Sequence, residues 1–140
     1  MLRYPIFQQS LVTSAAQTAS GDSGLIEIGT LDFEKITIVI PVTAASGTTP
    51  TLDIYIQQSL DGGTTFTDMA HLPQVTAAVT NPYHVSLAHG GGSVISAGVG
   101  DATIAANTIG GGIISRFIKV KWVIGGTTPS FTFAATLYAA

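Results

Sequence analysis

The stretch Leu52-Asp53-Ile54-Tyr55-Ile56-Gln57 alternates apolar and polar side chains one by one, and that alternation leaves little choice of fold. Successive side chains of an extended strand point to opposite faces, so Leu52, Ile54 and Ile56 share one face while Asp53, Tyr55 and Gln57 share the other. The run ends at Asp61-Gly62-Gly63, where glycine tolerates positive φ and an aspartate can close the turn through its own carboxylate. A second extended run from Thr65 to Leu72 comes next, so residues 52–74 predict a β-hairpin. The same period marks Ile36, Ile38, Ile40 and Val42 in 33–42, and Ile118, Val120, Trp122 and Ile124 in 117–124. It returns at Phe131, Phe133, Ala135 and Leu137, and shorter strands are expected at 25–29 and 83–87. No segment of ten or more residues carries a helical 3.6 period with caps. The expected architecture is all-β, an antiparallel, jelly-roll-like β-sandwich of about eight strands.

An internal echo divides the pattern in two. Gly47-Thr48-Thr49-Pro50-Thr51-Leu52-Asp53-Ile54 matches Gly126-Thr127-Thr128-Pro129-Ser130-Phe131-Thr132-Phe133, and each segment comes after an alternating strand. The reading is two turns, 44–50 and 125–129, and two similar hairpins, one feeding each half of the fold.

With 140 residues the chain is expected to be one domain, 24–140, preceded by an extended arm, 1–23. The arm is a Thr/Ser/Ala/Gln tract behind the apolar tip Leu2, Tyr4, Ile6 and Phe7; a disordered tail or a simple edge strand are the other readings. Only 9 % of residues are charged, against a typical ~25 %, so the surface is neutral and polar and is desolvated at low cost. The long loop 88–115 holds eight glycines and one charge, Asp101. A solvated linker would carry more charge and fewer aliphatics. Val94, Ile95, Val99, Ile104 and Ile109 in it are therefore expected, with the arm tip, to lie against something, and are candidate interface residues.

Chemistry is sparse. Net charge is −3, and Arg3, Lys35, Arg116, Lys119 and Lys121 do not build a large basic patch, which argues against nucleic acid as a partner. No apolar run reaches ~18 residues, so no membrane span is expected. The N-terminus shows no secretory leader pattern. Without cysteine there are no disulfides or thiolate sites. His71, His84 and His89 lack metal-ligand spacing, so no metal or cofactor is expected. Asp53 and Asp61 are accounted for by an outward strand face and a turn. Asp68, which the alternation places on one face with Phe66 and Ala70, is the least explained. The glycine triplets 90–92 and 110–112 have neither the Lys-Ser/Thr nor the helix of a phosphate loop. Trp122, Tyr55, Tyr83 and Tyr138 could form a sugar platform, although Trp122 falls on a core-facing pattern. No enzyme is expected.

Two resemblances rest on particular residues. Ser59-x-Asp61-x-Gly63-x-Thr65-Phe66 resembles the Asp-box of sialidases and related β-proteins, in which the aspartate caps a structural turn and the aromatic packs beneath it. The runs 52–68 and 116–122, the second continued by Gly126-Thr127-Thr128-Pro129-Ser130-Phe131, together resemble small β-sandwich virion proteins of tailed bacteriophages, head decoration (cement) proteins above all. Phe66 stands where those proteins more often carry tryptophan. That resemblance implies a capsid-surface location, the major capsid protein as partner and a homo-oligomer, with a trimer the leading expectation. The alternatives are a neck or tail component, or a carbohydrate-binding module for host attachment.

Overall fold

The computed structural model describes residues 7–28, 33–88, 101–110 and 114–140. The alternating runs form strands, and the nine described strands belong to one antiparallel sheet without helices. In chain order they are β1 (Phe7–Gln17), β2 (Gly21–Asp22), β3 (Ile26–Glu27), β4 (Lys35–Ile40), β5 (Val42–Ser59), β6 (Thr67–His71), β7 (Tyr83–Ala88), β8 (Thr108–Ile109) and β9 (Phe117–Ala139).

The frame is a ribbon of two long strands. β4 and β5 run end to end, interrupted at Pro41, against the whole of β9: Ile36 pairs with Ala139, Val42 with Phe133, Leu52 with Ile124 and Ser59 with Phe117. The segments 44–50 and 125–129 are therefore not hairpin turns, as the sequence led one to expect; both lie inside strands, and the two Gly-Thr-Thr-Pro units pair with each other. Ser46 faces Ser130, Thr51 faces Gly125, and Thr48 faces Thr127, which places a local two-fold axis between the last two. The backbone repeats accordingly, with φ of 112° at Gly47 and 109° at Gly126, and 47° at both Thr49 and Thr128. A β-carbon on Gly47 would lie 2.8 Å from the Thr128 carbonyl oxygen, and one on Gly126 2.7 Å from that of Thr49. Each glycine is thus required by the other strand's backbone. The register shifts on both sides of this crossing, as bulges do where a strand bends.

The bend folds the ribbon over. Trp122 and Phe133 would lie about 36 Å apart on a straight strand; their rings meet edge to face with centroids 5.4 Å apart. The segment 75–79 spans the crease, Val75 bridging Leu52 and Val79 donating to the Val42 carbonyl. The sheet is strongly curled, and the inward side chains of both halves, Ile38, Val42, Ile54, Ile118, Phe131 and Phe133 among them, meet in one fully buried core.

Shorter strands extend each half. β7 lies beyond β4 and β1 beyond the last third of β9, with register shifts along β1. On the other half β6 and then β8 flank β5, and β2 and β3 flank the start of β9. The residues on either side of β2 are stitched to β9 by hydroxyls: Ser20 Oγ accepts from the Ile124 N–H (2.9 Å) and Ser23 Oγ from that of Val120 (3.0 Å). Gly21 lies flat against the Trp122 indole, whose N–H donates to the Ala19 carbonyl at 3.1 Å. Trp122 is buried as its pattern implied.

Two substitutions test this frame. Trp122→Ala should cost about 3–5 kcal/mol in chemical denaturation, by emptying a core contact shared by both halves. Gly126→Ala should cost about 2 kcal/mol or more, whereas Gly24→Ala, at a similarly positive φ of 73° but with open space around it, should cost less. Equal effects at the two glycines would mean that backbone conformation, not the crossing, sets the requirement.

Candidate functional site

The outward side chains of β5 form a polar row, Asp53, Tyr55, Gln57 and Ser59, and each has a defined partner. At the end of the row the Asp-box residues close the turn. Asp61 accepts from Ser59 Oγ (2.8 Å), from the N–H groups of Thr64 (3.1 Å) and Thr65 (2.9 Å), and from Thr65 Oγ1 (2.7 Å). Ser59 Oγ in turn accepts from the Gly63 N–H at 2.7 Å. The bonds from the main chain and side chain of Thr65, then that from Ser59, hold the Asp61 carboxyl far below the usual carboxylate range. Phe66 is half-buried beneath the Lys119 ammonium, 3.8 Å from its ring centre. Ser59, Asp61, Gly63, Thr65 and Phe66 are thus one turn, closed by the Asp61 carboxylate and the Ser59 hydroxyl.

The rest of the row grips the segment 101–115. The β5–β6 register slips by one residue, so that Ala70 faces Ile56 but Asp68 faces Gln57. This bulge at Met69 turns Asp68 away from the face it would share with Ala70 in a regular strand, correcting the sequence reading, and brings it to the same face as His71. Asp68, only 5 % exposed, accepts main-chain bonds from Ala102 (3.0 Å), Thr103 (2.7 Å) and Ile104 (3.0 Å), and one from Gln57 Nε2 (2.8 Å). Gln57 donates a second bond to Asp101 at 2.7 Å, and Lys121 reaches the same oxygen at 2.8 Å. Two carboxylates can face only the NH2 of an amide, so the Gln57 orientation is fixed and its buried Oε1 meets no donor among the described residues. The bonds from Lys121 and then Gln57 lower the Asp101 carboxyl.

His71 completes the grip. Its Nδ1 lies 2.9 Å from the Ile104 carbonyl oxygen, its Nε2 lies 3.0 Å from Asp53 Oδ1, and its ring stacks on Tyr55 at 4.0 Å. Gln74 Nε2 donates to the other Asp53 oxygen at 2.9 Å. Burial, and then the charges of Asp53 and Asp68, raise the Tyr55 phenol, with Lys121 acting in the opposite sense. Further along, Gln58 Oε1 accepts from the Ser115 N–H (2.8 Å), and Ser115 Oγ donates to the Ser59 carbonyl. An Asp–His pair could serve a nucleophile, but here both ring nitrogens face acceptors, so neither is free to act as a general base.

Of the interface candidates, Leu2, Tyr4, Ile6, Val94, Ile95 and Val99 lie outside the described residues, as does His89. Phe7 is half-buried against Phe33, with ring centres 5.4 Å apart. Ile104 is half-buried and held at both its main-chain groups, whereas Ile109 is 58 % exposed. Tyr55 and Trp122 are buried, so the four aromatics do not make one exposed platform. Among the described residues no His, Asp and Glu cluster has the makings of a metal site. A pocket of about 130 Å³ lies beside His71, between β6, β8 and the start of β7, lined by Leu72, Tyr83, His84, Val85, Asn107 and Ile109 among others. The alternation exposed the polar row in advance. The grip on 101–104 was missed because the bulge that aims Asp68 leaves no signal in a single sequence.

Two variants probe the grip and the turn. Asp68→Ala should cost about 2–3 kcal/mol, by orphaning main-chain donors in 101–104, and should speed proteolysis within that segment. Asp61→Asn should lower the melting temperature near neutral pH. A depressed folded-state carboxyl stabilises above the unfolded value of about 4 and loses that effect as pH falls through the folded one. Melting temperatures of wild type and variant should therefore converge in acid. A difference that persisted there would mean that the turn is held by something other than the carboxylate. A scan against protein-family models finds none that matches this chain, and a search of curated proteins finds no relative.

Proposed function

We propose that the chain is a non-enzymatic structural protein of a tailed-phage virion, a decoration protein that clips onto the outer head lattice and stabilises it. The observation that carries this is the pairing of the two runs similar to such proteins. Residues 52–59 and 117–124 are hydrogen-bonded neighbours along their whole length, with Asp53 opposite Val123 and Gln57 opposite Lys119. Their polar side chains are committed to the chain's own turn and loop and not to an open cleft. Such a part needs a rigid frame and a neutral, easily desolvated surface; the curled sheet, taken as a jelly-roll-like sandwich, and the 9 % charge content supply both. Its partner is the major capsid protein. A homo-oligomer, with a trimer favoured by the three-fold positions of capsid lattices, attaches through the N-terminal arm and the 88–115 segment.

Heads of the encoding phage, freed of this protein, provide the test. Added chain should bind them saturably and resist salt, since apolar contacts are not screened over a ~10 Å Debye length as an ionic clasp would be. Deleting residues 1–6, which precede β1, or shortening 90–100, should lower occupancy while leaving β1 and the 101–110 segment in place. Binding confined to necks or tails would move the assignment to those parts. A glycan-array signal without particle binding would make the chain a carbohydrate-binding module. Unchanged occupancy in both deletions would overturn the attachment.

A further inference from the structure

We propose that His71 is a proton-dependent latch, holding residues 104–109 against the β5–β6 face while its ring carries two N–H groups and releasing them when one proton is lost. The geometry is that of a donor forced to serve two acceptors. Nδ1 faces a main-chain carbonyl at 2.9 Å, and Nε2 faces a carboxylate at 3.0 Å whose other oxygen already accepts from Gln74. A carbonyl only accepts, and both bonds form together when the His71–Asp53 pair holds one proton beyond neutral imidazole and carboxylate. Once that proton leaves, a single N–H must choose. A bond to a carboxylate is roughly twice as strong as one to a neutral carbonyl, so the N–H stays with Asp53. The Nδ1 lone pair then faces the Ile104 oxygen, and the two repel.

The surroundings localise the effect. From β5 the ring meets Asp53 and the stacked Tyr55; on its own strand lies Asp68; across the neighbouring pocket, β7 presents Tyr83 and His84. Lys121 of β9 and Asp101 are engaged with each other on the far side of Gln57. Asp68 keeps the three N–H groups of 102–104 in either state, so it acts as the hinge side. The moving side begins at the Ile104 carbonyl and runs through residues 105–110. That stretch includes β8, two residues long, which pairs Ile109 with Ala70 and Thr108 with His71. Gly110 then donates to the Met69 carbonyl at 2.7 Å. Release opens the pocket that Asn107 and Ile109 help to wall. None of this depends on the virion reading.

The experiment is amide hydrogen exchange of the full chain at Ile104 and Gly110, between about pH 5 and pH 8, corrected for the intrinsic pH dependence of exchange. Protection at Gly110 should fall on the order of ten-fold as pH rises, the worth of one charge-assisted bond. Protection at Ile104 should fall less, because Asp68 retains its N–H. His71→Gln should flatten the Gly110 profile, and His84→Gln should leave it as in the wild type. Long-range ¹H–¹⁵N spectra of the wild-type imidazole provide a readout independent of any variant. Both His71 nitrogens should carry the protonated signature while Gly110 is protected, and one should lose it as protection is lost. A flat wild-type profile, flattening by His84→Gln, or a single neutral tautomer throughout the protected range would each overturn the latch.

Discussion

The structure depends on one close approach, the crossing of two backbones at Gly47-Thr48-Thr49-Pro50 and Gly126-Thr127-Thr128-Pro129. A straight pair of strands this long would present a ribbon with nothing to pack on. The crossing bends both strands at one level, so that the ribbon becomes its own partner and Trp122 reaches Phe133. The conditions are severe: glycine where the other strand's carbonyl intrudes, and threonine held at positive φ, a conformation that β-branched residues avoid. Identical tetrapeptides meet those conditions reciprocally, which is why a local two-fold relates them.

Around that frame the fold uses polar groups in two ways. Inward faces are aliphatic and aromatic and supply the burial. The outward face of β5 binds a loop through side chains, each with one or two partners fixed by geometry. Asp68 accepting three consecutive main-chain N–H groups makes a turn out of a segment that has almost no charge and little regular structure. Such a segment cannot hold itself in place by burial alone, and the carboxylate offsets the cost of ordering its backbone. The same dependence concentrates its fate in a few groups, of which His71 is the one whose two ring nitrogens both face oxygen acceptors.

This arrangement bears on how a neutral surface and a defined shape coexist. Charges that could have been solvated are turned toward the chain itself: Lys121 to Asp101, Lys119 to the Phe66 ring, Asp61 to its own turn. What remains outward on the ribbon is largely hydroxyl and small aliphatic, with Lys35 exposed at the start of β4. A surface of that kind is desolvated at low cost, and salt has little in it to screen.

The sequence by itself determined the all-β class, the strand faces, the buried position of Trp122 and the Asp61 turn. Each rests on a period of two or on a bond between residues a few positions apart. Tertiary structure decided what those local rules leave open. Gly-Thr-Thr-Pro reads as a turn because glycine and proline usually mark one; only the facing copy, 79 positions away, makes it a crossing inside continuous strands. Asp68 belongs by alternation with Ala70, and one extra residue at Met69 moves it to the opposite face beside His71. A bulge changes register without changing composition, so its effect exists only once the partner strand is in place. The docking of 101–104 on that face is likewise a long-range choice. It is made by bonds between β6 side chains and a main chain whose residues announce neither strand nor helix.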